Sequence, residues 1–139
     1  GGNFKELHAA TTNIIAAQVA DWGLLPVTAE EAHDADAGGQ HRRYMFHGTS
    51  HHLGIDVHDC AQARREMYYD GVLEEGMVFT IEPGLYFQID DLTVPEEYRG
   101  IGVRIEDDIL MTADGPVNLS AGIPRTADEV EAWIARLAR

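Results

Sequence analysis

Apolar residues recur over the first 26 positions at the three- and four-residue spacing of a helix: Phe4, Leu7, Thr11, Ile14, Ile15, Val19 and Trp22. Asn3 followed by Glu6 forms a capping-box signature at its start, and Gly23 and Pro26 follow in the order that ends a helix. Thr28 with Glu31 predicts a second, shorter acidic helix, and "DADAGGQH" (34–41) reads as a loop. The period then changes. "MVFTIEPGLYF" (77–87) is β-branched and aromatic, with a Pro-Gly turn signal inside it. "GIGVRIEDDILMT" (100–112) alternates: Val103, Ile105, Ile109 and Met111 face one way, interrupted by Asp107, while Arg104, Glu106, Asp108 and Leu110 face the other. "RTADEVEAWIARLAR" (125–139) predicts a closing helix with a Thr126/Glu129 capping box and an apolar stripe of Val130, Trp133, Ile134 and Leu137. The order helix, histidine-rich segment, strands, helix defines an α+β chain without internal repeats.

Length and charge narrow the function. A chain of 139 residues suits one domain with a core of its own. Lys and Arg total 10 against 24 Asp and Glu, a formal net charge of −14, which repels phosphate backbones and argues against nucleic acid. Such a surface suits metal cations or a cationic peptide end, but the ordinary acidity of a bacterial-type cytosolic protein explains it more simply. Cys60 is the only cysteine, so an internal disulfide and a thiolate metal cluster are both excluded. No apolar run approaches the roughly 20 residues of a membrane span, and the N-terminus does not resemble a leader. A cytoplasmic protein without membrane contact is expected.

The candidate chemistry lies in "HGTSHHLGIDVHD" (47–59), which holds four of the seven histidines, and in two strand glutamates. Glu82 sits among apolar strand residues before a Pro-Gly turn, so its carboxylate is expected to be partly buried. A buried charge needs a partner. A divalent cation is one candidate, and Arg104, on the same strand face as Glu106, is another. A glutamate on a strand is also often just a solvated face. His47 and His51 are four apart, and His58 directly precedes Asp59, whose carboxylate can orient an imidazole. His52 has no such support and reads as structural. The motif His-Glu-x-x-His is absent, because Gly48, Thr49 and Ser50, with no acid among them, stand between His47 and His51, so a mononuclear zinc-protease helix is not indicated. One histidine and two carboxylates suit manganese, cobalt or zinc, and carboxylates with spare oxygens suit a metal pair. The residues alone therefore reach metal-assisted hydrolysis as a reaction class.

"HGTSHHLGIDVHD", "MVFTIEPGLY" and "GIGVRIEDDI" together resemble the successive C-terminal motifs of aminopeptidase P (Xaa-Pro aminopeptidase), a pita-bread metallopeptidase related to prolidase and methionine aminopeptidase. The resemblance runs from the Asn3 helix to the last helix. It implies the C-terminal half of a pita-bread fold, mostly antiparallel sheet with flanking helices, and a cofactor of two divalent metal ions, manganese foremost, with cobalt or zinc as alternatives. It implies His51, Glu82 and Glu106 as metal ligands, with Glu106 bridging and Glu82 also acting as general base. It places His47 and His58 against the substrate, His58 on the scissile peptide group, and Arg104 beside the acidic ligands. The implied partner is a peptide with proline in second position; a half-sheet would leave an open apolar edge that recruits another chain, so a homo-oligomer is expected.

The family site also needs two aspartates about a dozen residues apart and a further upstream histidine. Nothing in this chain fits: Asp34 and Asp36 are two apart, and Asp21 lies at a helix end. The chain, residues 1–139, therefore reads as a C-terminal part of a catalytic domain, inactive by itself. Two alternatives stand beside this reading. One is prolidase, an Xaa-Pro dipeptidase that usually carries a longer insertion before the Arg-Glu strand. The other is a non-catalytic relative that binds peptide or protein, which would usually have lost the ligand residues retained here.

Overall fold

The computed structural model describes residues 2–34, 36, 39–60 and 63–138. Helix α1 spans Phe4–Asp21 and starts at the capping box read from the sequence: the Asn3 side chain accepts from the first turn, and the Asn3 amide donates to Glu6. It ends in a Schellman arrangement. Gly23, at φ +71°, donates to Ala20, and Leu24 donates to Val19. The buried face is Phe4, Thr12, Ala16 and Val19. Ile14 and Trp22, expected inside, are 71% and 52% exposed. Ile14 stands two residues from both Thr12 and Ala16, hence across the helix from them, and Trp22 lies past the last helical turn.

Two small sheets receive this helix. Strand β1 (Val78–Ile81) pairs antiparallel with β4 (Asp107–Thr112), which pairs antiparallel with β5 (Gly115–Asn118). Strand β2 (Gly84–Tyr86) pairs antiparallel with β3 (Gly102–Arg104). The start of α1 packs on the larger sheet, where Phe4, Phe79 and Ile109 form one core with Tyr68, Leu73 and Met111 around it. The end of α1 packs on the smaller sheet through a second core of Val19, Tyr44 and Val94. The architecture is the expected α+β, antiparallel throughout, with flanking helices.

Three expectations need correction. The alternating run 100–112 is two strands in two sheets, parted at Ile105–Glu106. Ile109 is buried, while Val103 and Ile105 are 57% and 41% exposed, so the run has no continuous inner face. Thr28 and Glu31 do bond reciprocally, yet they start only a one-turn 3-10 helix, Glu31–His33. The closing helix α2 (Ala127–Leu137) forms behind its Thr126/Glu129 capping box, but its stripe is uncovered: Trp133, Ile134 and Leu137 are exposed. In the 34–41 loop, Ala35, Ala37 and Gly38 lie outside the described residues; Gln40 and His41 already belong to a 3-10 turn, Gln40–Arg43.

One ion pair ties that turn to the loop between β2 and β3. Arg43 grips Asp91 with two parallel bonds, Nε to Oδ2 at 2.7 Å and Nη2 to Oδ1 at 2.6 Å. The Asp91 carboxylate also accepts from the amide and hydroxyl of Thr93, next to the core residue Val94. The Arg43 guanidinium, followed by the Thr93 donors, holds the Asp91 carboxyl far below the usual carboxylate range. Asp91→Ala is expected to lower stability by about 1–3 kcal/mol at neutral pH, measured by urea denaturation. Because the folded-state pKa is depressed, that difference is full above the ordinary value of 3.8 and shrinks as pH falls through and below it.

Candidate metal centre

The histidine-rich segment is neither helical nor loose. Thr49–Leu53 runs alongside β1 like an additional strand: Glu82 N donates to Thr49 O at 2.7 Å, Thr80 N to His51 O at 2.9 Å, and Leu53 N to Val78 O at 2.9 Å. The His51 amide is taken up by Thr80 Oγ1 at 3.1 Å. This pairing sets His51 beside Glu82. The second glutamate arrives by the sheet break. The chain leaves one sheet for the other at Glu82–Pro83 and again at Ile105–Glu106, and the two crossings touch, with Ile105 N donating to Pro83 O at 3.3 Å.

His51, Glu82 and Glu106 consequently converge, each offering one ligand-type atom within 4.8 Å of the others, the only such group among the described residues. His51 Nδ1 faces the His52 carbonyl at 3.1 Å and so must donate, which leaves the lone pair of Nε2 facing Glu82 Oε1 at 3.3 Å. A lone pair and a carboxylate oxygen at that distance need a cation between them or a proton on the ring. Glu82 is only 9% exposed, and Thr80 Oγ1 donates to its Oε1 at 3.2 Å. Arg104 lies 3.8 Å from Glu82 Oε2 and 3.6 Å from Glu106 Oε2, between the two carboxylates. The residues present fit one hard or borderline divalent cation by donor type, spacing and charge.

The other candidates surround this point. The His58 ring meets His51 edge-on, with centroids 4.5 Å apart. Asp59, expected to orient His58, pairs its backbone with His52 instead, and its charge acts on the His52 ring. His47 donates from Nδ1 to Gly48 O at 2.7 Å, so its Nε2 accepts from the Tyr86 hydroxyl at 2.9 Å. A hollow of about 460 Å³ is lined by His47, His51, His58, Glu82, Tyr86 and Arg104 among others. A second hollow of about 670 Å³ adjoins it along Phe46–Ser50, lined by His8, His33, His41 and Arg42, and contains none of the convergent ligands. His52 stacks on Phe4 at 4.8 Å and stands edge-on to Tyr68, and burial, followed by the charge of His51 and against that of Asp59, leaves its basicity lowered.

Sequence reasoning missed Thr80, which serves the site with both backbone and hydroxyl, and Tyr86. The only sequence signal for Tyr86 is its place two residues after Gly84 on one strand face. A Cβ on Gly84 would meet the Tyr86 ring, 2.6 Å from Cε2, and one on Gly102 across the pair would lie 2.9 Å from Cδ1. The two glycines are the seat of the ring.

The family model for metallopeptidase family M24 matches residues 1–113, so the chain belongs to that family. Xaa-Pro aminopeptidase 1 of Streptomyces coelicolor is 59% identical over 137 residues, covering 99% of this chain and 27% of the relative. Aminopeptidase PepP of Pseudomonas aeruginosa superposes with a TM-score of 0.84 at 40% identity, covering 96% of this chain and 29% of that one. Zinc-substituted aminopeptidase P of Escherichia coli, solved with its product, superposes at 0.83 with 40% identity, over all of this chain and 30% of that one. The chain thus matches part of the pita-bread fold of these structures and spans between a quarter and a third of their length. No described helix is long and apolar enough to cross a membrane.

Gly84→Ala should displace Tyr86 and cost about 1–3 kcal/mol in a thermal or urea melt. In a Tyr86→Ser background the same Gly84→Ala change should cost far less, because the clash partner is gone.

Proposed function

We propose that this chain is part of the catalytic domain of an Xaa-Pro aminopeptidase, which removes the first residue of a peptide whose second residue is proline. The observation that carries the reading is the meeting of His51 Nε2, Glu82 and Glu106 around one point, in a chain of the M24 family. His51, Glu82 and Glu106 would hold divalent metal, with manganese as the working ion and cobalt or zinc as substitutes; the complete enzyme would hold two. When bound, the metal supplies Lewis-acid polarisation of the scissile carbonyl and of the attacking water. The chain's own residues do the rest. Glu82 Oε2, with Arg104 no nearer than 3.8 Å, is the oxygen that takes up and returns the proton. Arg104, between the Glu82 and Glu106 carboxylates, offsets part of their mutual repulsion. His58 donates to the scissile peptide group, and His47, its tautomer set by Gly48 and Tyr86, lines the substrate side.

The kinship with Xaa-Pro aminopeptidases favours an aminopeptidase over a dipeptidase, and the retained ligand types speak against a non-catalytic binding module. The acid-rich composition and the single cysteine favour the cytoplasm, with a peptide as partner and neither nucleic acid nor membrane. The uncovered stripe of α2 favours a homo-oligomer.

Two measurements test this. Calorimetric titration of manganese into the 139-residue chain should show one site, lost in His51→Ala and in Glu106→Ala; a variant that retains it contradicts the ligand set. For activity, the chain should replace the matching segment of the Streptomyces coelicolor enzyme. The chimera should cleave an Xaa-Pro peptide, while the 139-residue chain alone should not. His58→Ala in the chimera should slow turnover by roughly 10²–10³ with metal content unchanged, on the scale of a lost transition-state hydrogen bond. A folded, metal-loaded chimera inert towards Xaa-Pro peptides would overturn the proposal.

A further inference from the structure

His8 is a half-buried histidine that none of the chemistry above uses. It sits on α1, and its Nδ1 lies 2.8 Å from Thr49 Oγ1. Among the described residues this is the only side-chain hydrogen bond joining α1 to the His47–His51 segment. Thr49 is 1% exposed, so its hydroxyl has no water to fall back on. The same residue offers its carbonyl to the Glu82 amide at 2.7 Å. Two residues on, His51 pairs with Thr80, whose hydroxyl reaches Glu82 Oε1. Hydrogen bonds and the short backbone stretch from Thr49 to His51 therefore link the helix to the Glu82 amide and, through Thr80, to its carboxylate. The carbonyl of His8 is itself engaged by Thr12 Oγ1 at 2.9 Å, on the helix face that packs inward.

We infer that His8 is a positioning residue for the ligand cluster: through Thr49 it holds the end of the histidine-rich segment against β1, and so keeps His51 and Glu82 facing each other. The inference rests on the metal-centre reading above, but its mechanical part does not. Burial, then the charges of His41, Arg42 and His47, lower the basicity of His8, so the ring is neutral at neutral pH and its Nδ1 can serve a hydroxyl without bringing a charge inside. Without His8, the Thr49 hydroxyl is unpaired and the ladder loses its anchor at the Glu82 end.

The test compares His8→Ala, Thr49→Val and His8→Asn in the 139-residue chain, with folding checked by circular dichroism. Asparagine can place a polar atom where Nδ1 stands. Manganese affinity is read by calorimetry and protection of the Glu82 amide by hydrogen exchange. His8→Ala and Thr49→Val should weaken manganese binding by roughly ten- to a hundredfold, the range for partners that orient a ligand, and should speed Glu82 exchange. His8→Asn should restore both. Wild-type protection of the Glu82 amide in His8→Ala overturns the inference. So does a His8→Asn chain as impaired as His8→Ala beside an unimpaired Thr49→Val. If His8→Ala does not fold, the other two variants decide by the same readings. If the unaltered chain binds no manganese while His8→Ala still loosens Glu82, the metal-centre reading fails and the positioning role stands.

Discussion

Three backbone hydrogen bonds between Thr49–Leu53 and Val78–Glu82 carry the site. Each joins groups largely removed from water, where an unpaired amide or carbonyl costs about 1–3 kcal/mol, so the pairing has one favourable register and strong penalties elsewhere. A slip of one residue would turn His51 away from Glu82 and put His52 in its place. The other face of the same segment guards against that slip, because His52 stacks on Phe4 in the core of the larger sheet. Adjacent histidines thus do opposite work. One ring is held by apolar packing, and that packing aims the next ring at a carboxylate.

The sheet break completes the arrangement. A single continuous sheet would carry Glu82 and Glu106 on neighbouring strands with their side chains spaced by the strand repeat. Two sheets meeting at Pro83 and Ile105 instead bring both carboxylates to one seam, where Arg104 lies between them. In a chain of net charge −14 such crowding of acids is tolerable only with compensation at the spot. One guanidinium offsets part of it. The lone pair of His51 Nε2 adds to the demand for positive charge rather than relieving it.

Local signals were legible in the sequence wherever the answer was local. Both capping boxes formed as written, because their partners lie three residues apart and need nothing else from the fold. The glycine after α1 stopped the helix by its own conformation. The burial of Glu82 followed from its apolar neighbours. What depended on distant partners was not legible. The period-two pattern over 100–112 could not reveal that the chain changes sheets in the middle, since either side of the break alternates alike. Ile14 looked like core because hydrophobicity marks it, whereas the observed face is set by Ala16 and Thr12, small enough for close approach. Thr80 and Tyr86 escaped notice because a hydroxyl on a strand has no pattern of its own until the facing segment is known. The convergence of His51, Glu82 and Glu106 was reached through the resemblance of motifs; spacing alone left the glutamates open to a solvated reading.

The loop between β2 and β3 is fastened twice at its base: Phe87 N donates to Ile101 O at 2.8 Å, and Gly100 N to Phe87 O at 2.7 Å. Beyond that clasp, Arg43 and Val94 secure the loop's far side, while Ile89 and Leu92 stand in solvent. Chain length near Ile89 and Asp90 is therefore decoupled from the Gly84–Arg104 register that aims the second glutamate. Closing a loop twice as long costs only about 0.6 kcal/mol. That stretch is a natural port for a grafted epitope, a fluorophore or a tether to a surface, through which the protein could be handled without disturbing the seam where its acids meet.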